Sequence, residues 1–291
     1  MKTFGEKHNV SLVAGSDVQK TRVLNWGAQR QGLADFFFTD FQGNYGTNLA
    51  AGNGIFQVSY EAYFSSFSYS YANKYFLSAN YRVDGNSALS ADNRWGDFGG
   101  ASLGWTLSEE KFFKNLNLGN KVSNVRLKAS YGKVGNGNVP NAYGSYSTFA
   151  SGLYGAAPTL AFNQAGNKNL KWETSTQTNV GVDVSFLNDR IQVEANYYYK
   201  DNDNLILNVL QAPSKGIPGN SILANVGSMY NKGYEVAITA TPIDNNGFVW
   251  TTNVNFATNE NMVTSLVDAN TPILTATSGL ETTSITRVGY S

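Results

Sequence analysis

From Trp172 to Leu205 the chain alternates apolar and polar residues with a period of two, breaks once, and alternates again. Thr176, Thr178, Val180, Val182, Val184 and Phe186 fall on one face of an extended strand, and Gln177, Asn179, Gly181, Asp183 and Ser185 on the other. After the turn signal Leu187-Asn188-Asp189, Ile191, Val193, Ala195, Tyr197 and Tyr199 alternate with Gln192, Glu194, Asn196, Tyr198 and Lys200. Each arm keeps its period for about ten residues, where an ordinary strand averages about five or six. Long two-faced hairpins of this kind are the sequence signature of a transmembrane β-barrel.

The same pattern recurs along the chain. A weakly alternating strand is expected over Lys7 to Gln19, followed by a long loop rich in Gly, Asn and aromatics from Thr21 to Gly54. Gln57 to Ala72 alternates Tyr63, Ser65, Phe67, Tyr69 and Tyr71 against Phe64, Ser66, Ser68 and Ser70. A tight turn at Ala72-Asn73-Lys74 leads to Tyr75, Leu77, Ala79, Tyr81 and Val83 on one face, with Phe76 as the single misfit on the other. Gly85 to Trp95 reads as a polar turn. Ala101, Leu103, Trp105 and Leu107 then form the cleanest strand. Ser108 to Val122 is a connection in which Glu109 to Phe113 predicts a helical turn. Val125, Leu127, Ala129 and Tyr131 form the next apolar face.

Gly135 to Leu170 shows no sustained period and reads as a large loop. Beyond the Trp172 hairpin come a medium loop from Asn208 to Leu223, a strand carrying Tyr234, Val236, Ile238 and Ala240, and a turn from Pro242 to Gly247. A strand carrying Phe248, Trp250, Thr252, Val254 and Phe256 follows. From Val263 to Ser291 the pattern is polar and irregular, with the start of a strand near Ile285. Short and long connections take turns, so the long loops gather at one end of the sheet, as in outer-membrane barrels with short periplasmic turns and long extracellular loops. The expected fold is therefore all-β: an antiparallel up-and-down transmembrane β-barrel, partial, with about nine to ten strands of a larger barrel.

Two further features fit a membrane wall. Tyr71, Tyr75, Trp105, Tyr131, Tyr197, Tyr199, Tyr234 and Trp250 suit interfacial aromatic girdles. Arg82, Asp84, Arg126, Lys128, Asp183, Gln192, Glu194 and Lys200 share the opposite, lumen-facing side.

Composition narrows the function. Of 291 residues, 14% are charged, below the roughly 25% of a soluble domain, and 21 basic residues balance 21 acidic ones, which gives no footprint for nucleic acid. There is no cysteine, hence no disulfide framework or thiolate metal site. No apolar run is long enough for a transmembrane helix. The start, Met1 to His8, lacks the apolar core of a secretory signal, so the barrel is expected to be a fragment.

Catalytic and metal chemistry find little support. His8 is the single histidine. Asp201-Asn202-Asp203-Asn204 opens like a calcium loop but places Ile206 and Ala212 where Gly and Glu are required. Gly135, Gly137 and Pro140 complete no nucleotide fingerprint. No enzyme activity and no cofactor are expected. The candidate ligand contacts are Tyr143, Tyr146, Phe149 and Tyr154 in the large loop, whose rings can stack on sugar faces.

Five ordered blocks carry a family resemblance. They are Asn73-Lys74-Tyr75 with Arg82-Val83-Asp84-Gly85-Asn86-Ser87; Asn93-Arg94-Trp95-Gly96 with Gly104-Trp105 and Ser108-Glu109-Glu110; Ser130-Tyr131-Gly132-Lys133-Val134-Gly135-Asn136; Asn169-Leu170-Lys171-Trp172-Glu173; and Asn225-Val226-Gly227 with Asn231-Lys232-Gly233-Tyr234-Glu235. In this order the chain resembles the SusC/RagA-type TonB-dependent transporters from about Gln57 to Val263. The resemblance implies part of a plugged barrel of about 22 strands in the outer membrane of a Bacteroidetes-type cell. It implies import of glycan or peptide oligomers driven by a TonB complex, beneath a SusD-like surface lipoprotein and in contact with outer-membrane lipid. Residues 1–291 would be a partial barrel domain without signal peptide, plug or final strands. The alternatives are a β-rich cell-surface adhesin or structural protein without transport activity, and an outer-membrane barrel enzyme.

Overall fold

The computed structural model describes residues 2–4, 7–37, 40–41, 43, 45–118, 121–140, 142–155, 157–245, 247–267, 272–278 and 281–290. Of the segments read above, Met1, Gly5 and Glu6 of the start, Gly119 and Asn120 of the third connection, Asn141 and Ala156 of the large loop, Asn246 of the Pro242 turn, and parts of 38–44, 268–271, 279–280 and 291 lie outside it.

The strands, in chain order, are β1 (Lys2–Phe4), β2 (His8–Leu33), β3 (Tyr45–Tyr71), β4 (Tyr75–Asn86), β5 (Trp95–Thr106) and β6 (Val122–Asn136). They continue with β7 (Thr148–Tyr154), β8 (Ala157–Gln164), β9 (Glu173–Phe186), β10 (Ile191–Leu210) and β11 (Ser221–Asn245). The last four are β12 (Phe248–Ala257), β13 (Glu260–Ser265), β14 (Ile273–Ser278) and β15 (Glu281–Thr286). One antiparallel sheet runs β1-β2-β3-β4-β5-β6-β9-β10-β11-β12, with β13 also pairing with β11. The hairpins β7-β8 and β14-β15 stand apart from it. All nine expected barrel strands are present, in the expected up-and-down order.

β12 and β13 are one wall strand interrupted at Thr258 and Asn259. Thr258 donates its backbone N–H to the Tyr234 carbonyl at 2.8 Å and accepts the Tyr234 N–H on its hydroxyl at 3.0 Å. The close pass is possible because the neighbouring position is Gly233, where a Cβ would lie 2.0 Å from the Thr258 carbonyl oxygen.

The short turns lie at one end of the sheet. Ala72 and Asn73 both take positive φ (50° and 55°), with the Lys74 N–H bonded back to the Tyr71 carbonyl at 2.9 Å. That backbone matches the twist of the flanking strands. Leu187, Asn188 and Asp189 form the equivalent left-handed corner between β9 and β10. The connection from β5 to β6 contains the expected helical turn as α1 (Lys111–Lys114).

Three expectations are corrected. The expected loop Thr21–Gly54 is in large part the continuation of β2 and β3, paired from Thr21↔Val58 to Leu33↔Tyr45 with a bulge between Asn25 and Gly27. Strands of 26 and 27 residues are more than twice the about 9–11 residues that a membrane span requires. Beyond that span both faces of the ribbon are wet, so no selection for alternation operates and the period fades although the ladder persists. The large loop Gly135–Leu170 likewise contains the hairpin β7-β8, and the segment from Val263 onward contains the end of β13 and the pair β14-β15.

The face carrying Leu12, Leu103, Leu127, Val180, Val254 and Phe256 is exposed, with Leu103 at 61%. Apolar rows this extensive on an exposed face belong against lipid. The opposite face holds the expected charges. Lys128 lies 2.6 Å from Asp183 and 2.7 Å from Glu194, and Arg82 2.6 Å from Asp84. Phe76, the sequence misfit, is placed on this side by the strand's alternation, and there the Arg126 guanidinium covers its ring at 4.6 Å.

Candidate functional site

The most deeply buried part of the molecule is not between the girdles but at the long-loop rim. Val58, Ala88, Leu89, Phe98, Val139, Ala142, Leu170, Trp172 and Ile206 form one core cluster, with Leu89 and Leu170 fully buried. Tyr60, Tyr143 and Leu223 pack against it. Gly85 to Trp95, expected to be a polar turn, is therefore corrected: its Ala88 and Leu89 are core.

The polar residues of this knot each satisfy main chain from a distant segment. Asn86, fully buried, donates to the Gly137 carbonyl and accepts the Ala88 N–H at 2.9 Å. Buried Ser145 donates to the Ala88 carbonyl at 2.9 Å. Trp172 donates its indole N–H to the Arg94 carbonyl at 3.0 Å, and its ring meets Phe98 edge-on at 5.3 Å. Glu173 accepts the Ile206 N–H on one oxygen at 2.7 Å and the Asn136 amide on the other at 2.6 Å.

Asn167 and Asn225 close the ring. Asn167 donates to the Leu223 carbonyl at 2.8 Å, while Asn225 accepts the Lys171 N–H at 2.9 Å and donates to the Lys171 and Asn204 carbonyls, both at 2.8 Å. Such side-chain to main-chain bonds fix loops that have no ladder of their own.

The hairpin β7-β8 rises from this base. Gln164, at its foot, donates to the Tyr143 and Tyr146 carbonyls at 2.9 and 3.1 Å. Gly166 lets the returning chain pass so close that a Cβ would lie 2.2 Å from the Tyr146 carbonyl carbon. No charged residue occurs between Val134 and Asn167. Phe149, Leu153, Tyr154 and Leu160 are exposed on the hairpin, Tyr154 at 86%.

The structure separates the four candidate ligand contacts. Tyr143 leans on the buried core, Tyr146 is exposed beside it, Phe149 packs on Phe162 with ring centroids 5.7 Å apart, and Tyr154 is near the hairpin tip. Sequence reasoning missed the anchoring residues Asn86, Ser145, Asn167 and Asn225, although Asn86 and Asn225 stand inside the family-like blocks. Among the described residues no cluster of His, Asp and Glu could hold a metal ion.

A second constellation sits at the short-turn end. His8, Tyr71, Tyr75 and Trp105 occupy directly paired positions on β2 to β5. The Tyr71, Tyr75 and Trp105 rings are stacked at 6.3 and 6.4 Å. Glu110 gathers this row, accepting from the Tyr75 hydroxyl at 2.5 Å, the Trp105 indole at 3.2 Å and Lys74 at 3.3 Å. These bonds, the Tyr75 hydroxyl first, hold the Glu110 carboxyl below the ordinary carboxylate range.

A long amphipathic antiparallel sheet with one lipid-compatible face and a loop knot at one end matches the family model described as TonB dependent receptor-like, beta-barrel, over residues 2–286. The chain belongs to this family.

The relatives agree. TonB-dependent receptor P39 of Formosa agariphila is 34% identical over 274 residues, covering 92% of this chain and 25% of the relative. TonB-dependent receptor SusC of Bacteroides thetaiotaomicron is 35% identical over 217 residues, covering 70% of this chain and 21% of the relative. The fold of the RagAB peptide importer in its closed-closed state superposes with a TM-score of 0.84 at 24% identity, over 99% of this chain and 31% of that one. The chain thus spans about a quarter of the length of the curated relatives.

TonB-dependent receptors of the SusC and RagA kind are outer-membrane β-barrel proteins, and this chain is outer-membrane barrel wall. The exposed apolar face is therefore the lipid face, the charged face is the lumen side, and the knot lies at the extracellular rim. The family is one of transporters and receptors, not of enzymes.

Proposed function

We propose that the whole protein imports glycan or peptide oligomers across the outer membrane in a TonB-dependent manner, with this chain as part of the barrel wall and of the extracellular loops. The observation that carries the reading is the buried, hydrogen-bonded rim. A knot of side-chain to main-chain bonds holds a charge-free aromatic hairpin outward on a wall whose inner face is polar. Aromatic rings on a fixed base bind sugar faces or peptide side chains at low entropic cost. The likeness to SusC and to a peptide importer supports oligomeric cargo. The domain is a partial TonB-dependent receptor barrel. The plug, the TonB contact and the SusD-like lid belong to the remainder of the system. Phe149 and Tyr154 are the cargo contacts proposed first, Tyr146 is secondary, and Tyr143 holds the base.

Uptake of labelled oligosaccharides and peptides by cells carrying the full-length protein tests this. Uptake that ceases when the TonB complex is inactivated, and falls when residues 149–163 are removed, is the expected result. Uptake indifferent to the TonB complex removes the transport reading, and uptake indifferent to the hairpin removes Phe149 and Tyr154.

A further inference from the structure

The outer face of the wall carries an apolar trough of about 660 Å³ just inside the periplasmic girdle. Its floor is Ala129, a small residue paired with Leu103 on one side and Val180 on the other. Leu77 continues the same row beyond Leu103. Tyr75 and Trp105, stacked at 6.4 Å, form its periplasmic edge. Glu110 is bonded to both rings of that edge and to Lys74, and the exposed Lys111 follows Glu110 in the chain. Glu109 is taken by Lys114 at 2.6 Å and Glu110 by Lys74, so Lys111 has no carboxylate partner among the described residues.

We propose that this trough is a binding site for one phospholipid of the periplasmic leaflet. An acyl chain lies over Ala129 between Leu103 and Val180, and the phosphate of the headgroup meets Lys111 and Lys74. The occupant follows from position. The trough opens on the lipid face between the girdles, where the surrounding solvent is hydrocarbon. Of the cations near it, Lys128 lines the wall but has its ammonium turned to Asp183 and Glu194 on the lumen side, which leaves the periplasmic end, where phosphates are found, as the cationic one. A dent left by a small residue among large ones forfeits dispersion contacts unless a chain fills it, which favours a retained lipid over a smooth annular shell. The aromatic pair at the edge suits the junction of acyl chain and headgroup, having apolar ring bodies and polar tips. The inference rests on the outer-membrane placement alone and not on the cargo reading.

The test is native mass spectrometry of the full-length protein after reconstitution with a defined mixture of phosphatidylglycerol and phosphatidylethanolamine and stepwise delipidation. The wild type is expected to retain one phospholipid at a detergent concentration that strips the others. Ala129→Phe, which fills the trough, should lose it, with Ala129→Leu as a second variant if the first fails to give the heat-modifiable gel mobility of a folded barrel. Lys111→Gln should lower phosphatidylglycerol retention several-fold and leave uptake unchanged. Equal lipid loss in the wild type and the filled variants overturns the site as annular lipid only. Ready disulfide dimerisation of Leu103→Cys with no retained lipid overturns it in favour of a second copy on this face. The readout is lipid mass, so a failure of transport leaves this result legible.

Discussion

Asn86 and Gly137, 51 residues apart, are joined by a 2.6 Å bond from the Asn86 amide to the Gly137 carbonyl, inside a site where Asn86 has no exposed surface. The same side chain accepts the Ala88 N–H. Asn86→Ala leaves the buried Ala88 N–H without its partner, at about 1–3 kcal/mol, and leaves the Gly137 carbonyl only the Val139 N–H at 2.9 Å. The expected outcome is faster hydrogen exchange across residues 87–94 and 137–147 with the barrel strands unaffected. Unchanged exchange there would show that the bond is dispensable.

Gly137 is constrained from a second side. A Cβ at this position would lie 2.4 Å from the Trp172 ring, and overpacking of this kind costs roughly 1–3 kcal/mol. Gly137→Ala is expected to displace Trp172 from the Arg94 carbonyl, seen as a red shift of its emission in a variant that keeps Trp172 alone among the tryptophans.

The two faces of the wall differ in their tolerance of charge. Leu103→Arg puts a guanidinium on the lipid face and should cost about 2–4 kcal/mol, whereas Asn80→Arg on the lumen side should cost little. Urea unfolding of the refolded full-length protein in lipid vesicles measures both, and equal costs would refute the assignment of faces.

Glu110 makes the periplasmic girdle sensitive to acid. A carboxyl whose folded-state value is depressed contributes stability above its ordinary value of 4.5 and loses that contribution as the pH falls through the lower folded-state value. Acidification below 4.5 should therefore loosen the Tyr75 and Trp105 rings, read as a change in Trp105 emission. Glu110→Gln should abolish that step, and a step that persists in this variant assigns it to another group.

The barrel was legible in the sequence because lipid on one face and a wet lumen on the other force a strict period of two. Ala101 to Leu107 and Thr176 to Phe186 obey it, as does Tyr75 to Val83 with the exception of Phe76. Where that pressure ends the period ends, and the upper halves of β2 and β3 looked like loop although their pairing continues, past the bulge at Asn25, to Leu33↔Tyr45. Phe76 broke the pattern for a reason found only on the neighbouring strands, the Arg126 guanidinium above its ring. The rim was least legible. Its burial depends on Leu89, Trp172 and Ile206 arriving from three distant segments, and its asparagines read individually as turn residues. The family-like blocks mark this convergence: the segments containing Asn86, Arg94, Asn136, Trp172 and Asn225 all contribute to the knot.

The footing of β7-β8 has an evolutionary corollary. Its attachment runs through Gln164 and Gly166, while none of the described residues of 149–163 makes one of the bonds that tie Asn86, Asn167 and Asn225 to main chain. The hairpin stands outside the wall sheet and is tied to it only through its base. On the cargo reading proposed above, exchanging those residues for the counterpart of another family member is expected to change what is captured while the wall, the knot and the membrane seat stay as they are.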